Sequence, residues 1–307
     1  MKVLVTGGAG FIGSHLVDQL IAQGHKVVVV DNLSTGKKEN LNKEAIFYNI
    51  DIRASELSHI FQEERPEIVF HLAAQISVRN SVEDPIADAN TNILGALNLL
   101  ENCKKFGVKK IVFTSTGGAL YGEATIIPTP ETYPALPVSP YGVAKLSVEK
   151  YLNYYYQIFG LNYTVLRLAN IYGPRQDFLG EAGVVAIFCN QLLKGKQPIV
   201  FGDGTQTRDY VFVKDAVEAG ILALNKGKVG VFNVGSAKET SVYELFKELA
   251  KAMEIEIEPV YNPARQGEQK RSSLDHSKIK KELGFMPKYN LKKGLEETIE
   301  WHKHNEC

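Results

Sequence analysis

The sequence predicts an α/β protein in which a doubly wound parallel sheet is joined to a smaller mixed α/β C-terminal lobe. Short, nearly continuous apolar runs are typical of strands buried on both faces, and segments of helical period separate them. This alternation indicates parallel strands covered by helices on both sides. With 307 residues, the chain is long enough for one large or two modest domains with real cores.

The predicted elements follow a regular order through the first two thirds of the chain. Strands are predicted at 2–6, 26–31, 45–49, 68–71, 110–115 and 163–168, and helices at 14–23, 89–106 and 140–159. Beyond residue 175 the pattern loosens into turns, a helix at 184–193, a further sheet strand at 230–234 and amphipathic helices at 242–253 and 291–302. We therefore expect residues 1–174 plus about 210–237 to form the sheet domain, and about 175–209 plus 238–307 the smaller lobe.

The composition excludes several classes of partner. Hydrophobic residues make up 44% of the chain and charged residues 23%, as in ordinary globular proteins, with 35 basic against 35 acidic side chains. This neutral balance argues against nucleic acid or an anionic membrane as the main partner. No apolar run approaches the roughly 20 residues of a membrane span. The three cysteines have no paired or metal-like spacing, so we expect no metal and a reducing, cytoplasmic location.

A glycine-rich loop directly follows the first predicted strand. Gly8, Gly10 and Gly13 have the spacing G-x-G-x-x-G, and a helical pattern starts at once. In this strand–turn–helix context the motif is typical of a Rossmann dinucleotide-binding domain, whose backbone N–H groups approach a pyrophosphate at a helix N-terminus. A turn that only packs a helix on the sheet is the alternative. Asp31 ends the second strand, where a carboxylate accepts bonds from ribose hydroxyls and repels a 2′-phosphate, so we expect NAD rather than NADP.

A tyrosine and a lysine lie one helical turn apart at the start of the helix predicted for 140–159. Ser139 suits the N-cap and Pro140 the first helical position, so Tyr141 and Lys145 at i and i+4 share one face. A free phenol is a poor base at pH 7, and lowering its pKa from about 10 to about 7 requires about 4 kcal/mol. We expect a nearby ammonium, the positive helix end and a cationic cofactor to supply it. An aromatic core residue beside a solvated lysine is the alternative.

Thr116, at the carboxyl end of the strand predicted for 110–115, completes this set. Ligands bind at the carboxyl ends of strands in doubly wound folds, so we expect its hydroxyl to share the substrate proton with Tyr141. A strand-end hydroxyl that only caps the backbone is the alternative.

These motifs together resemble the extended short-chain dehydrogenase/reductase superfamily and its NAD-dependent epimerase/dehydratase family, within it the epimerases that act at C4 of UDP-hexoses. The matching segments, which span nearly the whole chain, are 6–13, 31–32, 51–52, 71–74, 115–116, 141 with 145, 166–170, 208–211 and 265–268. The resemblance implies interconversion of UDP-glucose and UDP-galactose through a 4-keto sugar, with NAD as cofactor and a UDP-sugar as substrate.

The resemblance also implies the residues of the site, with Tyr141, Lys145 and Thr116 as the catalytic set. The implied cofactor contacts are Gly7, Gly10, Phe11, Ile12, Gly13, Asp31, Asn32, Ser34, Gly36, Asp51, Ile52, Leu72, Ala73, Ala74, Gln75, Thr91, Ser115, Tyr141, Lys145 and Ala169. The implied substrate contacts are Val78, Thr116, Tyr141, Asn170, Val184, Val185, Ile199, Phe201, Arg208, Arg265 and Glu268. Forked guanidinium groups suit the diphosphate, although either arginine alone could be a surface ion pair.

The residues after Thr116 help to choose the reaction. Nucleotide-sugar 4,6-dehydratases typically carry an Asp-Glu pair there, whereas this chain has Gly117-Gly118, which disfavours dehydration. The alternatives are epimerisation of UDP-N-acetylglucosamine or UDP-glucuronate, a dehydratase or decarboxylase of the same superfamily, and a non-catalytic NAD-binding module. Glu268 replaces the usual aspartate of its motif. Ser272 falls where related epimerases vary between large and small residues, so we expect room for N-acetylated sugars.

A homodimer is expected from the same resemblance. The helices predicted for 89–106 and 140–159 would form its interface, with Tyr154, Tyr155 and Tyr156 as candidate apolar surface. These three tyrosines could equally be internal core.

Overall fold

A seven-stranded parallel sheet forms the centre of the computed structural model, which describes residues 1–178, 183–264 and 269–305. The strands are β1 (Lys2–Thr6), β2 (Lys26–Asp31), β3 (Ile46–Asn49), β4 (Ile68–His71), β5 (Lys110–Thr116), β6 (Asn162–Leu168), β7 (Asn170–Tyr172), β8 (Ile199–Phe201), β9 (Thr207–Arg208), β10 (Tyr210–Phe212), β11 (Gly230–Val234), β12 (Thr240–Ser241) and β13 (Val260–Asn262). The sheet order is β11-β6-β5-β4-β1-β2-β3, with every neighbour parallel. The predicted fold class is confirmed, and the order reverses between β1 and β4, where ligands bind in such sheets.

Helices cover both faces of the sheet. They are α1 (Phe11–Ala22), α2 (Leu57–Glu64), α3 (Val78–Glu83), α4 (Pro85–Ala89), α5 (Gly95–Phe106), α6 (Pro140–Phe159), α7 (Val184–Leu193), α8 (Val213–Lys226), α9 (Val242–Ala252), α10 (Ser277–Leu283) and α11 (Leu291–Asn305). Alternate strand residues enter different cores, since Val3 and Val5 pack on one face while Leu4 packs on the other. The apolar runs of the strands follow from this two-sided burial.

Helix α6 has the predicted bounds and the predicted cap. The Ser139 side chain accepts a hydrogen bond from the Gly142 N–H at 3.2 Å, Pro140 occupies the first turn, and Gly160 ends the helix in the left-handed region. These local signals place Tyr141 in the first turn and Lys145 in the second.

The helix predicted for 89–106 is longer and interrupted. It starts at Pro85 as α4, passes through a π-helical turn at Asn90–Leu94 and continues as α5. The Asp84 carboxylate accepts a hydrogen bond from the Ala87 N–H, which makes Asp84-Pro85 a cap followed by a first-turn proline. The predicted start was therefore wrong by one short helix, although the local signal for it is present.

Short two-stranded pairings organise the segments beyond β6. β7 pairs in parallel with β10, β8 in parallel with β13, and β9 antiparallel with β12. The buried Asp209 carboxylate ties these segments together by accepting hydrogen bonds from the N–H groups of Ser236, Ala237 and Leu274. Leu274 is thereby held beside the segment that follows β11.

Candidate active site

Lys145 is in the second turn of α6 and is buried, with 4% of its surface exposed. Its Nζ donates a hydrogen bond to the Thr114 carbonyl at 3.0 Å and lies 4.8 Å from the centre of the Phe113 ring. The same Nζ lies 5.8 Å from the centre of the Tyr141 ring. Tyr141 and Lys145 thus share one face, and Lys145 fastens that face to the carboxyl end of β5, which Thr116 terminates.

Gly142 allows the first turn of α6 to approach the loop that follows β5. A Cβ at this position would lie 2.6 Å from the Ala119 carbonyl oxygen, so any side chain would push the two segments apart. The Thr116 hydroxyl accepts a hydrogen bond from the Ala119 N–H at 3.2 Å. That contact is the capping role of the alternative interpretation, but the hydroxyl proton remains available for a second bond.

Burial dominates the electrostatics of the pair. It raises the pKa of the Tyr141 phenol, and the Asp88 carboxylate raises it further. Burial lowers the pKa of Lys145 to about 8, against the opposing effect of Asp88 and Glu149. The protein's own groups therefore do not produce the expected lowering of the phenol pKa, because burial and the Asp88 carboxylate both raise it. A bound cationic cofactor is left as the source of that stabilisation.

The glycine loop between β1 and α1 fits a pyrophosphate. Gly7 has φ of +73°, and a Cβ there would lie 2.7 Å from the Ala73 nitrogen, so the β1 and β4 ends approach only with glycine. Gly10 is the N-cap of α1 and supplies no side-chain cap. The first-turn N–H groups, including those of Phe11, Ile12 and Gly13, form the positive end of a helix suited to an anion.

Asp31 lies beside this loop at the end of β2. Its carboxylate accepts hydrogen bonds from the Ala9 N–H at 3.0 Å and the Leu33 N–H at 2.8 Å, which fix its position while leaving lone pairs on both oxygens. A Cβ at Gly36 would lie 2.8 Å from the nearer Asp31 oxygen, so a glycine is required beside the carboxylate. Both the loop and the carboxylate fit a dinucleotide with a free ribose 2′-hydroxyl.

Asp51 is less open than the sequence suggested. The Arg53 guanidinium binds both of its oxygens at 2.8 Å, and the Asn32 amide donates to it at 2.8 Å. These bonds lower the pKa of Asp51 to about 2. Arg53, which the sequence reasoning missed, therefore fixes the Asp51 carboxylate, to which Asn32 is also bound. Ser34 is exposed beside them, whereas Ile52 packs in the core.

The segment after β4 is fixed by a compact hydrogen-bond network. The Ala73 N–H donates to the Thr6 hydroxyl at 3.2 Å, between half-buried Leu72 and Ala74. The Gln75 side-chain amide donates a hydrogen bond to the Asp88 carboxylate at 2.9 Å. Thr91, three residues after Asp88, is half-buried and lies on the π-helical turn. These bonds fix the path of the segment between β4 and α3, and its contact with a cofactor stays a prediction.

Two of the predicted cofactor contacts have other partners in the structure. The buried Ser115 hydroxyl donates to a Glu149 oxygen at 2.6 Å, and that glutamate forms a buried ion pair with Arg167 at 2.6 Å. The Ala169 N–H donates to the Val234 carbonyl at 3.0 Å, which continues the sheet. Their direct contact with a cofactor stays a prediction.

The predicted substrate residues divide by exposure. Asn170, Val78 and Ile199 are exposed, Val184, Phe201 and Arg208 are half-buried, and Arg265 and Glu268 lie outside the described residues. The Asn170 amide oxygen would lie 3.9 Å from a Cβ at Gly118, so it faces the loop after Thr116. Val185 lies in the core with 1% exposure, and its contact with the uridine stays a prediction.

Leu274 is the main neighbour that the sequence reasoning missed. A Cβ at Gly117 would lie 2.3 Å from the Leu274 Cδ1 atom, so this leucine fills the space of any side chain at position 117. Among the described residues, no group of three or more His, Cys, Asp or Glu side chains is arranged to hold a metal ion. No helix within the described ranges is long and apolar enough to cross a membrane.

Comparison with known proteins agrees with this geometry. The NAD dependent epimerase/dehydratase family matches residues 3–235. A UDP-glucose 4-epimerase from Mycolicibacterium smegmatis is 46% identical over 99% of both chains. A crystal structure of a UDP-glucose 4-epimerase with UDP-glucose from Thermotoga maritima is 54% identical and superposes with a TM-score of 0.98 over 99% of both chains. A Thermus thermophilus UDP-glucose 4-epimerase in complex with NAD is 45% identical, with a TM-score of 0.94 over 99% of this chain and 100% of that one. The chain therefore belongs to the NAD-dependent epimerase/dehydratase family.

Proposed function

We propose that the chain is a UDP-hexose 4-epimerase that interconverts UDP-glucose and UDP-galactose through a 4-keto sugar. The observation that carries this proposal is that half-buried Tyr141 and buried Lys145 share one face of α6 beside the end of β5, where Gly117 and Gly118 supply no second acid or base. The names of three full-length relatives at 45–54% identity support it.

The roles of the residues follow from their chemistry. Tyr141 removes the proton of the sugar 4-hydroxyl and later returns it to the 4-keto oxygen, while the Thr116 hydroxyl donates a hydrogen bond to the same oxygen. Bound NAD supplies a reversible hydride acceptor for C4. Lys145 stabilises the phenolate through its charge. The glycine loop and Asp31 would hold the cofactor, so that sugar and cofactor stay in register through both halves of the cycle.

Gly117 and Leu274 favour epimerisation over dehydration. An acid–base carboxylate at position 117 would displace Leu274, whose backbone N–H is held by Asp209 at 3.1 Å. Position 117 therefore supplies no side-chain acid that could protonate a hydroxyl of the 4-keto sugar and allow it to leave as water. Gly118 likewise carries no side chain that could act as an acid or base.

The smaller lobe would hold the UDP part of the substrate. We propose that Arg208 and Arg265 contact the diphosphate with Asn170, and that Val184, Ile199 and Phe201 line the uridine pocket. Ser272, which is buried at 7% exposure, is small and supports acceptance of N-acetylated sugars as well. A Ser272→Tyr variant that epimerises UDP-N-acetylglucosamine as fast as wild type would contradict this extension.

We also propose a cytoplasmic homodimer. An apolar stripe on α6 consists of Tyr151, Tyr154 and Ile158, which are 38%, 48% and 62% exposed, whereas Tyr155 is buried. Cys103 and Cys189 are buried and are not joined in a disulfide, which suits a reducing compartment. Light scattering should give twice the chain mass for wild type and the monomer mass for Ile158→Glu. A monomeric wild type would contradict the dimer.

The reaction itself is tested with a panel of UDP-sugars whose C4 epimers are separated after incubation. UDP-glucose and UDP-galactose should interconvert, and Tyr141→Phe should keep bound NAD but lose at least about 100-fold in kcat. Val143→Ala, an exposed position on the same helix, is the matched control. Formation of a dehydrated or decarboxylated product, or near-normal turnover by Tyr141→Phe, would refute the proposed function.

A further inference from the structure

Asp88 is a buried carboxylate with one oxygen that no described protein atom pairs. Its Oδ1 accepts hydrogen bonds from the Gln75 and Asn92 side-chain amides, both at 2.9 Å, whereas Oδ2 is buried without a partner. Only 2% of the residue is exposed. Burying an acceptor of this kind is costly, so packing alone gives no reason for a carboxylate here, where an amide would make the same two bonds.

Helix α4, which carries Asp88, packs against α6, which carries Tyr141 and Lys145. The Asp88 charge is felt at both side chains, since it raises the pKa of the phenol and opposes the lowering of the ammonium pKa by burial. Lys145 in turn opposes the rise in the pKa of Asp88 that burial causes. The three groups therefore form one electrostatic unit.

The other charged groups around this unit are few among the described residues. Glu149, one turn further along α6, also raises the pKa of Lys145 but is paired with Arg167. His71 on β4 is neutral near pH 7, because burial lowers its pKa to about 3. On α3, Arg79 and Glu83 pair with each other at 2.9 Å on the exposed surface.

We propose that Asp88 is a positioning residue that keeps Lys145 charged and keeps Tyr141 able to take back its proton. This rests on the proposed function, because an epimerase uses one phenol first as base and then as acid. Such a group works best when it binds its proton with intermediate strength at the working pH. Lys145 and a cationic cofactor favour the phenolate, and Asp88 is the negative charge that opposes them. Without it the phenolate becomes too weak a base, and Lys145 loses part of its charge.

The test is the isosteric variant Asp88→Asn, which retains an acceptor for Gln75 and Asn92. The titration of Lys145 is followed by NMR with ¹³Cε-labelled lysine in the purified enzyme, and Lys145→Met assigns the signal. We expect the midpoint to move to lower pH by about 0.5 to 1 unit, the size of an interaction between nearby buried charges. Both limbs of the kcat–pH profile should move the same way, because removing a negative charge lowers every neighbouring pKa. Asp88→Glu should restore the profile in large part.

Asp84→Asn is the matched control, because it removes a charge from the exposed N-cap of the same helix and retains a good cap. An unchanged Lys145 midpoint in Asp88→Asn, or an equal shift in Asp84→Asn, overturns the proposal. If Asp88→Asn does not fold, Asp88→Ser is read by the same criterion. Inactivity of the wild type on every UDP-sugar would refute the proposed function instead, while the Lys145 titration would still decide the role of Asp88.

Discussion

The contact between Gly117 and Leu274 makes a sharp prediction about stability. In Gly117→Ala, the new Cβ would lie 2.3 Å from Leu274 Cδ1 and 2.8 Å from Cδ2. Leu274 is 1% exposed, and the carbonyl of its neighbour Ser273 accepts a hydrogen bond from the Thr129 N–H at 2.8 Å, so the leucine has little room to move. Overpacking of this kind costs about 1–3 kcal/mol. Leu274→Ala alone should cost about 2–5 kcal/mol, because it leaves a cavity.

The double variant decides whether these two residues share one space. Gly117→Ala with Leu274→Ala should lose about 1–2 kcal/mol less than the sum of the single losses, because the clash disappears and the new methyl fills part of the cavity. Urea unfolding followed by circular dichroism and by the fluorescence of Trp301, the single tryptophan, measures the three free energies of unfolding.

Gly118→Ala is the matched control for this pair. Its Cβ would meet nothing closer than the Asn170 amide oxygen at 3.9 Å, so we expect a change below about 0.5 kcal/mol. Additive losses in the double variant would refute the shared-space reasoning. A Gly118→Ala loss as large as that of Gly117→Ala would do the same.

Three further predictions concern buried polar groups, each measured by urea unfolding. Burial lowers the pKa of His71 to about 3. Because the unfolded chain binds this proton more tightly, the free energy of unfolding should fall by about 1.4 kcal/mol for each pH unit below the ordinary histidine pKa of 6.5. The free energy of unfolding of His71→Asn should therefore depend less on pH than that of wild type. Parallel plots of the two free energies from about pH 7 to about pH 5 would contradict this prediction. Glu149→Gln leaves the buried Arg167 charge without its partner and should lower the free energy of unfolding by about 3–5 kcal/mol. A loss below about 1 kcal/mol would contradict this prediction. Ser139→Ala should lower the free energy of unfolding by about 1 kcal/mol, whereas Ser139→Asp retains the cap. Equal losses in the two variants would exclude the capping role of Ser139.

The candidate site could be predicted in part because its signals are local. The glycine loop, Asp31, Thr116 and the Tyr141–Lys145 spacing are short patterns whose meaning depends on the strand or helix beside them. Parallel topology then brings the strand ends to one edge, so these segments converge without further information. The burial of the Val185 side chain could not be predicted, because a periodic apolar helix does not show which of its residues face the core.

The sequence by itself determined the seven strands of the central sheet, the capped helix α6 and the order of the chemistry along the chain. The strands at Lys2–Thr6 and Gly230–Val234 match their predicted bounds, because apolar runs between turn residues specify local structure directly. Only the tertiary structure decided that Leu274 fills the space beside Gly117, that Asp88 acts on Lys145, and that burial raises the Tyr141 pKa. Steric exclusion and desolvation depend on which distant segments meet, and no spacing along the chain records that.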